Sequence, residues 1–428
     1  MTSILLAIAI LGYLSIIFES PIRINKTITS ILTGSLCWIV YAFLYQGNQH
    51  DVSEKLVQYF GEIAGLLIFL LGAMTIVELI DLHKGFSVIT NRIRTKSVLK
   101  LLWIVGGITF FMSALLDNLA TAIIMITLLR KLMPKSETRM TLAGVVVIAA
   151  NAGGAFSPIG DITTTLLWIG GQVSAFGIVK ILFLPSLMCI LVPLLIASYR
   201  MKGFTMLRVQ LSMAEVIKEE KMRGSVSVFL AGVFGLVMVP VIKSITGLPP
   251  FIGVLMALAF VALVSIVYHR HKSLEEKEKY SVASALSKVD VSSILYFMGI
   301  LLLVYVLEEV QILSQLSAFL QESLPNNKVM IVAIGVLSSI VDNGSLVAAT
   351  QGMFSISEYP IDDSLWEFIA LCAGTGGSML IIGSAAGVAI MEKEKMTFMW
   401  YLKKITPLAL AGYIAGIVTY LIIHLLIH

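Results

Sequence analysis

Apolar residues fill long stretches of this chain, and the polar segments between the stretches are mostly short and charged. A helix needs about 20 apolar residues to cross a bilayer. Ten stretches meet this requirement and predict ten full spans: 3–20, 27–46, 57–80, 139–172, 176–199, 224–243, 250–268, 289–308, 364–391 and 400–426. Glycines interrupt the fourth and the ninth stretch, so we expect these two helices to be broken.

Two more apolar stretches, 97–131 and 329–355, have an aspartate followed by an asparagine at their centres. They read SALLDNLATA at 113–122 and SSIVDNGSLV at 338–347. Basic residues flank the first stretch on both sides, whereas acidic residues flank the second. Because Lys and Arg concentrate in cytoplasmic loops, we predict two re-entrant hairpins. The first enters the membrane from the inside and the second from the outside.

Composition and charge favour a membrane protein and predict its orientation. Of the 428 residues, 58% are hydrophobic and 13% are charged, and the mean hydropathy is +0.94, whereas only about half of a soluble domain is apolar. The two hairpins place 26 of the 30 Lys and Arg in six inside loops and both termini outside. We therefore predict an all-α polytopic protein of a bacterial inner membrane. The lipid bilayer is its expected partner, and no nucleic-acid partner is predicted.

A hairpin followed by a broken helix occurs in each half of the chain. The broken helices contain NAGGAFSPIGDITTT (151–165) and GTGGSMLIIGSAAG (374–387), and their glycine pairs begin 36 and 34 residues after the two hairpin aspartates. The opposite orientation of the copies makes them an inverted repeat, which is a signature of secondary transporters. The predicted domains are 1–96 for N-terminal scaffold spans, 97–199 for the first repeat core, 200–308 for a cytoplasmic loop, scaffold spans and a linker, and 309–428 for the second repeat core.

Three acids lie within these membrane-embedded motifs, and an acid near the bilayer centre costs at least about 2.5 kcal/mol. We expect Asp117 and Asp342, at the hairpin tips, to be the carboxylates that bind ion and proton. Asp161 is a third contributor, although its position also suits an N-cap of the helix that follows it. The second half has Ser384 where the first has Asp161, so the first hairpin is expected to contribute more to cation binding.

Oxygen-bearing side chains surround these acids, and oxygen is the ligand that a hard cation such as Na⁺ prefers. The polar residues expected to bind ion or proton are Ser113, Asp117, Asn118, Asn151, Ser157, Asp161, Thr163, Thr164, Ser338, Asp342, Asn343, Ser378 and Ser384. Sodium itself is assigned to Asp117, Asn118, Asn151 and Asp342. A carboxylate that holds either a proton or a metal ion is sufficient for exchange of Na⁺ or Li⁺ against H⁺ by alternating access. These small cations are cargo, so neither a cofactor nor an enzymatic activity is predicted.

The motifs SALLDN, NAGGAFSPIGDITTT and SSIVDNGSL resemble those of the NhaD-type sodium/proton antiporters. That group belongs to the ion-transporter superfamily, together with the arsenite permeases and the divalent anion/sodium symporters. The resemblance covers most of the chain. It implies a homodimer in which a mobile transport domain moves against a scaffold domain in an elevator-like manner, and electrogenic exchange of Na⁺ or Li⁺ for H⁺. It also implies a function for the polar residues of both motif pairs.

Two other functions remain open at this point. An anion carrier of the arsenite or dicarboxylate type is the first. The divalent-anion branch of the superfamily has Ser-Asn-Thr at its hairpin tips, where this chain has Asp-Asn followed by Leu or Gly. The second is an intramembrane aspartyl protease, which would also use two membrane carboxylates. That class would be expected to show Gly-x-Gly-Asp in a helix, and the nearest sequence here is Pro-Ile-Gly-Asp at 158–161.

Overall fold

The computed structural model describes residues 1–17, 19–90, 93, 95, 97–201, 224–323 and 326–427. Within these residues the chain forms helices and no strands, which confirms the predicted all-α class. The basic segment 202–223 lies outside the described residues, as do Arg92, Arg94 and Lys96 of the loop before residue 97.

The helices of the first half, up to residue 200, are α1 (Thr2–Ile17), α2 (Glu19–Ile22), α3 (Lys26–Leu44), α4 (Gln49–Leu82), α5 (Ser87–Thr90), α6 (Val98–Ser113), α7 (Asn118–Leu132), α8 (Glu137–Ala155), α9 (Ile162–Ile169) and α10 (Ala175–Arg200). Those from residue 225 onward are α11 (Ser225–Thr246), α12 (Pro250–His269), α13 (Leu274–Lys279), α14 (Val282–Leu286), α15 (Val291–Glu309), α16 (Ile312–Ser323), α17 (Asn327–Leu337), α18 (Asn343–Met353), α19 (Ser364–Gly376), α20 (Ala385–Glu394), α21 (Phe398–Lys404) and α22 (Thr406–Ile427).

Seven of the described helices are long and apolar enough to cross a bilayer: α3, α4, α10, α11, α12, α15 and α22. Helices α1, α6 and α17 are shorter but equally apolar in character. The chain is therefore an integral membrane protein with several spans. The seven long helices and α1 correspond to eight of the ten predicted spans. The other two are the interrupted pairs α8–α9 and α19–α20.

Both interruptions fall where the sequence predicts them, and polar side chains satisfy their free backbone groups. Asp161 caps the N-terminus of α9 by accepting from the N–H of Ile162, and Ser384 caps α20 by accepting from the N–H of Gly387. On the other side of the first break, the Thr164 hydroxyl donates to the carbonyl of Ala155 at 3.0 Å. Irregular backbone at membrane depth needs such internal partners because hydrocarbon offers none.

The two interrupted helices run antiparallel, as contacts at both of their ends establish. Arg139, near the start of α8, forms a buried ion pair with Glu394 at the end of α20, with 2.9 Å between Nε and Oε2. At the opposite end, the N–H of Ser174 after α9 donates to the Asp362 carboxylate before α19 at 2.6 Å. We call the first the basic end of the bundle and the second the acidic end.

The α6–α7 pair has both of its outer ends at the basic end. Helix α10 begins after Ser174 and therefore ends at the basic end, where the Trp103 indole N–H of α6 donates to the Ser198 hydroxyl at 2.9 Å. The residue that follows α7, Met133, offers its carbonyl to the Arg139 guanidinium at 2.9 Å. The two helices meet at residues 114–117, between Ser113 and Asn118.

The α17–α18 pair has both of its outer ends at the acidic end. The Asn327 amide at the start of α17 donates to the Tyr359 hydroxyl at 3.2 Å. The Phe354 ring, directly after α18, packs against the same tyrosine with ring centroids 5.6 Å apart. Tyr359 lies in the short segment between α18 and α19, which leads to Asp362.

The helices differ from the hydropathy-based prediction in three places. Helix α4 begins at Gln49, eight residues before the predicted span, because Asn48 caps it and the polar first turns continue the helix. Helix α16 was not predicted, since its sequence ILSQLSAFLQES is amphipathic rather than uniformly apolar. The last predicted span is split at Ile405, next to Pro407, whose missing N–H cannot extend the hydrogen-bond ladder of α21.

The ion pair at the basic end gives a first prediction. Removing one partner of a buried pair costs about 3–5 kcal/mol because the other charge stays buried without compensation. We expect Glu394→Ala to lower the unfolding temperature of the purified protein, measured as loss of the monodisperse size-exclusion peak after heating. Glu392→Ala, an exposed acid on the same helix, is the control. Equal unfolding temperatures for the two variants would contradict a stabilising role for the pair.

Candidate ion-binding site

Asp161 lies at the centre of a buried hydrogen-bond network. Its side chain is 1% exposed and accepts two hydrogen bonds at each carboxylate oxygen. Oδ1 accepts from the Asn118 amide at 2.8 Å and from the Ile162 N–H at 2.9 Å. Oδ2 accepts from the Thr163 hydroxyl at 2.7 Å and from the Asn343 amide at 3.1 Å. This carboxylate therefore joins the first interrupted helix to the tips of both aspartate–asparagine motifs.

A second chain of amides connects the first of these motifs, through Asn118, to the other interrupted helix. Asn118 also donates to the Asn151 amide oxygen at 3.0 Å, and Asn151 donates to the Ser384 hydroxyl at 3.0 Å. Asn151 is fully buried in the last turns of α8, and Ser384 caps α20. Six of the residues expected from the sequence thus form one continuous polar network across the two breaks: Asn118, Asn151, Asp161, Thr163, Asn343 and Ser384.

Asp117 and Asp342 act as N-caps at the rim of this network. Asp117 accepts from the Ala120 N–H at 2.6 Å, and Asp342 accepts from the N–H and the hydroxyl of Ser345 at 3.4 Å each. Ser345 in turn shares a 2.8 Å hydrogen bond with the Tyr296 hydroxyl of α15. Both aspartates are partly exposed, in contrast to Asp161.

All three aspartates line one small cavity of about 100 Å³, together with Asn118 and Asn343. Apolar side chains such as Phe69 and Phe297 make up most of the remaining wall. Among the described residues that line this cavity there is no Lys, Arg or His. The electrostatic character of the cavity is therefore that of a cation site, because an anion would meet carboxylates without a compensating positive side chain.

Serine and glycine residues hold the two motif pairs together with matching geometry. Ser113 donates to the Ala150 carbonyl at 2.6 Å, and Ser338, at the corresponding position, donates to the Ala373 carbonyl at 3.0 Å. These carbonyls lie three residues before the glycine pairs. A side chain on the first glycine of either pair would collide with backbone, namely with the carbonyls of Phe110 and Gly335. Only glycine lets the helices approach this closely.

Three predicted hydroxyls point at backbone carbonyls rather than at the central carboxylate. Ser157 donates to Ala114 at 2.5 Å, Thr164 to Ala155, and Ser378 to Thr375 at 2.6 Å. Their contacts satisfy carbonyls that the ends of α6, α8 and α19 leave without a helical partner.

One cavity-lining residue, Thr165, was missed by the sequence analysis. It donates to the Pro158 carbonyl at 3.0 Å. Its spacing of one helical turn from Asp161 in the run ITTT was the available signal.

Within the described ranges, no three Asp, Glu, His or Cys side chains lie close enough to hold a metal ion together. The ligands at hand are one central carboxylate, two amides and a hydroxyl. Such a mixed set of oxygens suits transient binding of a hard cation, whereas a resident transition metal needs imidazole or thiolate.

Two larger cavities approach the site from opposite ends of the bundle. The cavity at the basic end, of about 490 Å³, is lined by Glu78 and Ala120 and shares Val77 with the central cavity. The cavity at the acidic end, of about 690 Å³, is lined by Glu62 and Glu308. Among the described residues, it has no wall residue in common with the central cavity. Of these two cavities, the one at the basic end therefore adjoins the central cavity.

The chain is similar to known transporters in sequence and in fold. A family model described as CitMHS, citrate transporter, matches residues 5–367. Sodium/proton antiporter 1 of Arabidopsis thaliana is 46% identical over 97% of this chain and 71% of its own length. The Na(+)/H(+) antiporter NhaD of Vibrio cholerae is 32% identical over 98% of this chain and 91% of its own. The YdaH transporter of Alcanivorax borkumensis matches 93% of this chain and 98% of its own, with a TM-score of 0.60 and 11% identity, and this likeness supports the fold alone.

The glycine contacts at the site give a second prediction. In Gly376→Ala, the added methyl group would meet the Gly335 carbonyl, so α17 and α19 would have to separate. We expect loss of most transport activity and a lower unfolding temperature, because overpacking typically costs about 1–3 kcal/mol. Gly61→Ala, where the added atom meets nothing within 4 Å, is the matched control. The close approach would be irrelevant if both variants behaved like the wild type in transport and thermal stability.

Proposed function

Because this chain belongs to the CitMHS transporter family and is a relative of sodium/proton antiporters, we propose that it exchanges Na⁺ or Li⁺ for H⁺ across its membrane. The observation that carries the proposal is the buried Asp161 carboxylate, held between Asn118 and Asn343 in a cavity whose described wall residues include no positive side chain. The activity is transport and not catalysis, and the ions are its cargo.

The amides flanking Asp161 suit alternate binding of cation and proton. Asn118 and Asn343 each carry an N–H group that donates to Asp161 and an oxygen at the other end of the same amide. Rotation of an amide by half a turn exchanges the two groups. A cation beside Asp161 would then be coordinated by carboxylate and amide oxygens. A proton on Asp161 would instead donate to one of the amide oxygens.

Charge provides the coupling between the two ions. An ionised carboxylate buried in an apolar region is costly unless a positive charge neutralises it. Either Na⁺ or H⁺ neutralises Asp161, so both loaded forms can move to the other side of the membrane at lower cost than the ionised form. Exchange of one ion for the other follows from this shared requirement. Asp117 and Asp342, at the rim, are proposed to pass the ions to and from Asp161.

We also propose that α6–α7 and α17–α18 are re-entrant hairpins of an inverted repeat. Their outer ends lie at opposite ends of the bundle, and the interrupted helices run antiparallel. Ser113 and Ser338 each donate to the carbonyl three residues before a glycine pair, and this matching geometry also supports the repeat. In this arrangement the basic end is the inside, and the proposal retains ten full spans with both termini outside.

An elevator-like movement of 97–199 and 309–428 against 1–96 and 200–308 is proposed as the means of alternating access. Within each group helices pack closely, as in α3 with α15 and α10 with α22. Several polar contacts cross this boundary. Glu309 pairs with Lys55 and accepts from the hydroxyls of Tyr41 and Tyr59. Lys243 donates to the Trp168 carbonyl at the end of α9 at 2.5 Å, and Tyr296 bonds to Ser345. Movement would have to exchange these contacts for others.

The assembly and the cellular membrane are further parts of the proposal. A homodimer is proposed from the resemblance to NhaD-type antiporters. A bacterial inner membrane is proposed from the concentration of Lys and Arg on one side. The relatives come from plants as well as bacteria, so the family alone does not select the membrane.

Anion transport is the second candidate, because the family model is described as a citrate transporter. A citrate carrier would need positive or neutral donors at its centre. Three aspartates face the cavity instead, among them Asp161 at its centre. We therefore rank anion transport below cation exchange.

The exchange activity can be measured on the purified protein in proteoliposomes that contain a pH-sensitive dye. Addition of Na⁺ or Li⁺ should dissipate an imposed pH gradient. Asp161→Asn should reduce this rate by about 100-fold, because an amide cannot neutralise a cation or hold the proton in the same way. Asp117→Asn and Asp342→Asn should reduce it less. Asp51→Asn, an exposed acid at the start of α4, is the control.

Three outcomes would overturn the assignment. Full cation-dependent dissipation by Asp161→Asn would remove the central carboxylate from the mechanism. Unchanged activity in both Asp117→Asn and Asp342→Asn would exclude the two rim acids from the ion pathway. Uptake of labelled citrate by a wild type that lacks cation exchange would establish the anion carrier instead.

The hairpin topology can be tested by labelling single cysteines in intact cells and in inverted vesicles. The three natural cysteines are buried and would first be replaced. Lys100→Cys and Lys135→Cys should react with a membrane-impermeant maleimide from the inside. Glu322→Cys and Glu358→Cys should react from the outside. Opposite accessibility of the two members of either pair would show that the segment between them crosses the membrane once.

A further inference from the structure

The last turn of α9 separates the central cavity from the cavity at the acidic end. Thr165 lines the central cavity and Gly170 lines the acidic-end cavity, so residues 166–169 lie between the two spaces. Helical rise gives a distance of about 7 Å from one wall residue to the other. We call residues 166–169 the closing turn.

The side chains of the closing turn are buried in the bundle. Leu166, Leu167 and Trp168 are at most 4% exposed. The Trp168 ring contacts the Phe69 ring of α4, with the two centroids 6.0 Å apart, and Phe69 also lines the central cavity. Passage of a cation along α9 from one cavity to the other therefore requires this turn to move.

Two side chains from other helices hold carbonyls of the closing turn. The Gln351 amide of α18 donates to the Leu166 carbonyl at 3.1 Å. The Lys243 ammonium of α11 donates to the Trp168 carbonyl at 2.5 Å and lies 4.6 Å from the centroid of the Trp168 ring. The carbonyl end of a helix is the negative end of its dipole and attracts a cation. Lys243 thus makes both a charge-assisted hydrogen bond and a cation–π contact with one residue.

The position of Lys243 supports a specific role for these contacts. It is one of the four Lys and Arg that lie outside the six predicted inside loops. Among the described residues, no carboxylate lies within 4.0 Å of its ammonium. A lysine near the end of a membrane helix ordinarily extends its side chain toward water. Lys243 is partly buried instead and bonds to α9.

We propose that Lys243 is a positioning residue that holds the closing turn in place and so keeps the central cavity closed toward the acidic end. The inference rests on the proposed function, in which cations reach Asp161 from the two ends in alternation. Gln351 belongs with α9 to the moving groups, whereas Lys243 belongs to the 200–308 group. The Gln351 bond therefore persists during the movement, and the Lys243 bond breaks each time the acidic end opens.

The role of Lys243 can be tested by labelling a single cysteine in the central cavity of the full-length protein. Ala385 lines that cavity, so Ala385→Cys in a cysteine-free background reports access to it. A membrane-impermeant thiol reagent is applied from the side on which Glu358→Cys reacts. We expect Lys243→Met to raise the labelling rate about tenfold, because it removes one hydrogen bond from a charged donor. Lys243→Arg retains the charge and the donor and should stay close to the wild-type rate.

Lys180→Met is the matched control, because Lys180 is an exposed lysine near the start of α10, which begins at the acidic end. It should leave the labelling rate unchanged. Equal rates in Lys243→Met and the wild type would overturn the proposal. So would faster labelling of Lys243→Met from both ends, which would mean general loosening of the bundle, or an equal rise in Lys243→Arg. If Lys243→Met is not monodisperse, Lys243→Gln replaces it; this variant loses the charge but keeps a donor, and should raise the rate to a smaller extent.

Transport assays in proteoliposomes separate this proposal from the proposed function. If the wild type exchanges Na⁺ for H⁺ but Lys243→Met is labelled like the wild type, the role of Lys243 is wrong and the function stands. If Lys243→Met opens the central cavity toward the acidic end but the wild type exchanges no cation, the function is wrong and the role of Lys243 stands.

Discussion

The cost of a charge in an apolar interior is the constraint on which the rest of this structure depends. Asp161 is buried among membrane helices, and its carboxylate needs partners because neither water nor hydrocarbon can supply them there. Two of the partners, Asn118 and Asn343, belong to different halves of the chain. Satisfying one carboxylate therefore brings both aspartate–asparagine motifs to the same helix break, and these residues together line the cavity.

Close approach of the backbones is the second requirement, and glycine provides it. The tips can reach the breaks only if α6 and α17 lie directly against α8 and α19, where a methyl group would strike a carbonyl. The serine hydroxyls of Ser113 and Ser338 then bond to carbonyls of the neighbouring helices. Small residues and local hydrogen bonds thus replace the hydrophobic driving force, which is absent between helices in a lipid environment.

Sequence reasoning succeeded where the signal is local and fell short where it is not. Long apolar runs predicted the spans, and glycine-rich runs predicted both breaks to within a few residues. Hydropathy could not reveal α16, because this amphipathic helix has no continuous apolar run. The central place of Asp161 was also underestimated. Its partner Asn343 is 182 positions away in the chain, and no local pattern announces a contact over that separation.

The two helix breaks are alike in geometry but not in charge. Asp161 and Ser384 occupy corresponding cap positions, and Asn118 and Asn151 connect them through three hydrogen bonds. A second carboxylate at 384 would place like charges in one small network, and one of the two acids would then remain protonated. Serine caps α20 and accepts from Asn151 without adding a charge. The two breaks therefore share their capping geometry, whereas the central carboxylate occurs once. On the proposed function, the centre of the site would hold one cation or one proton at a time.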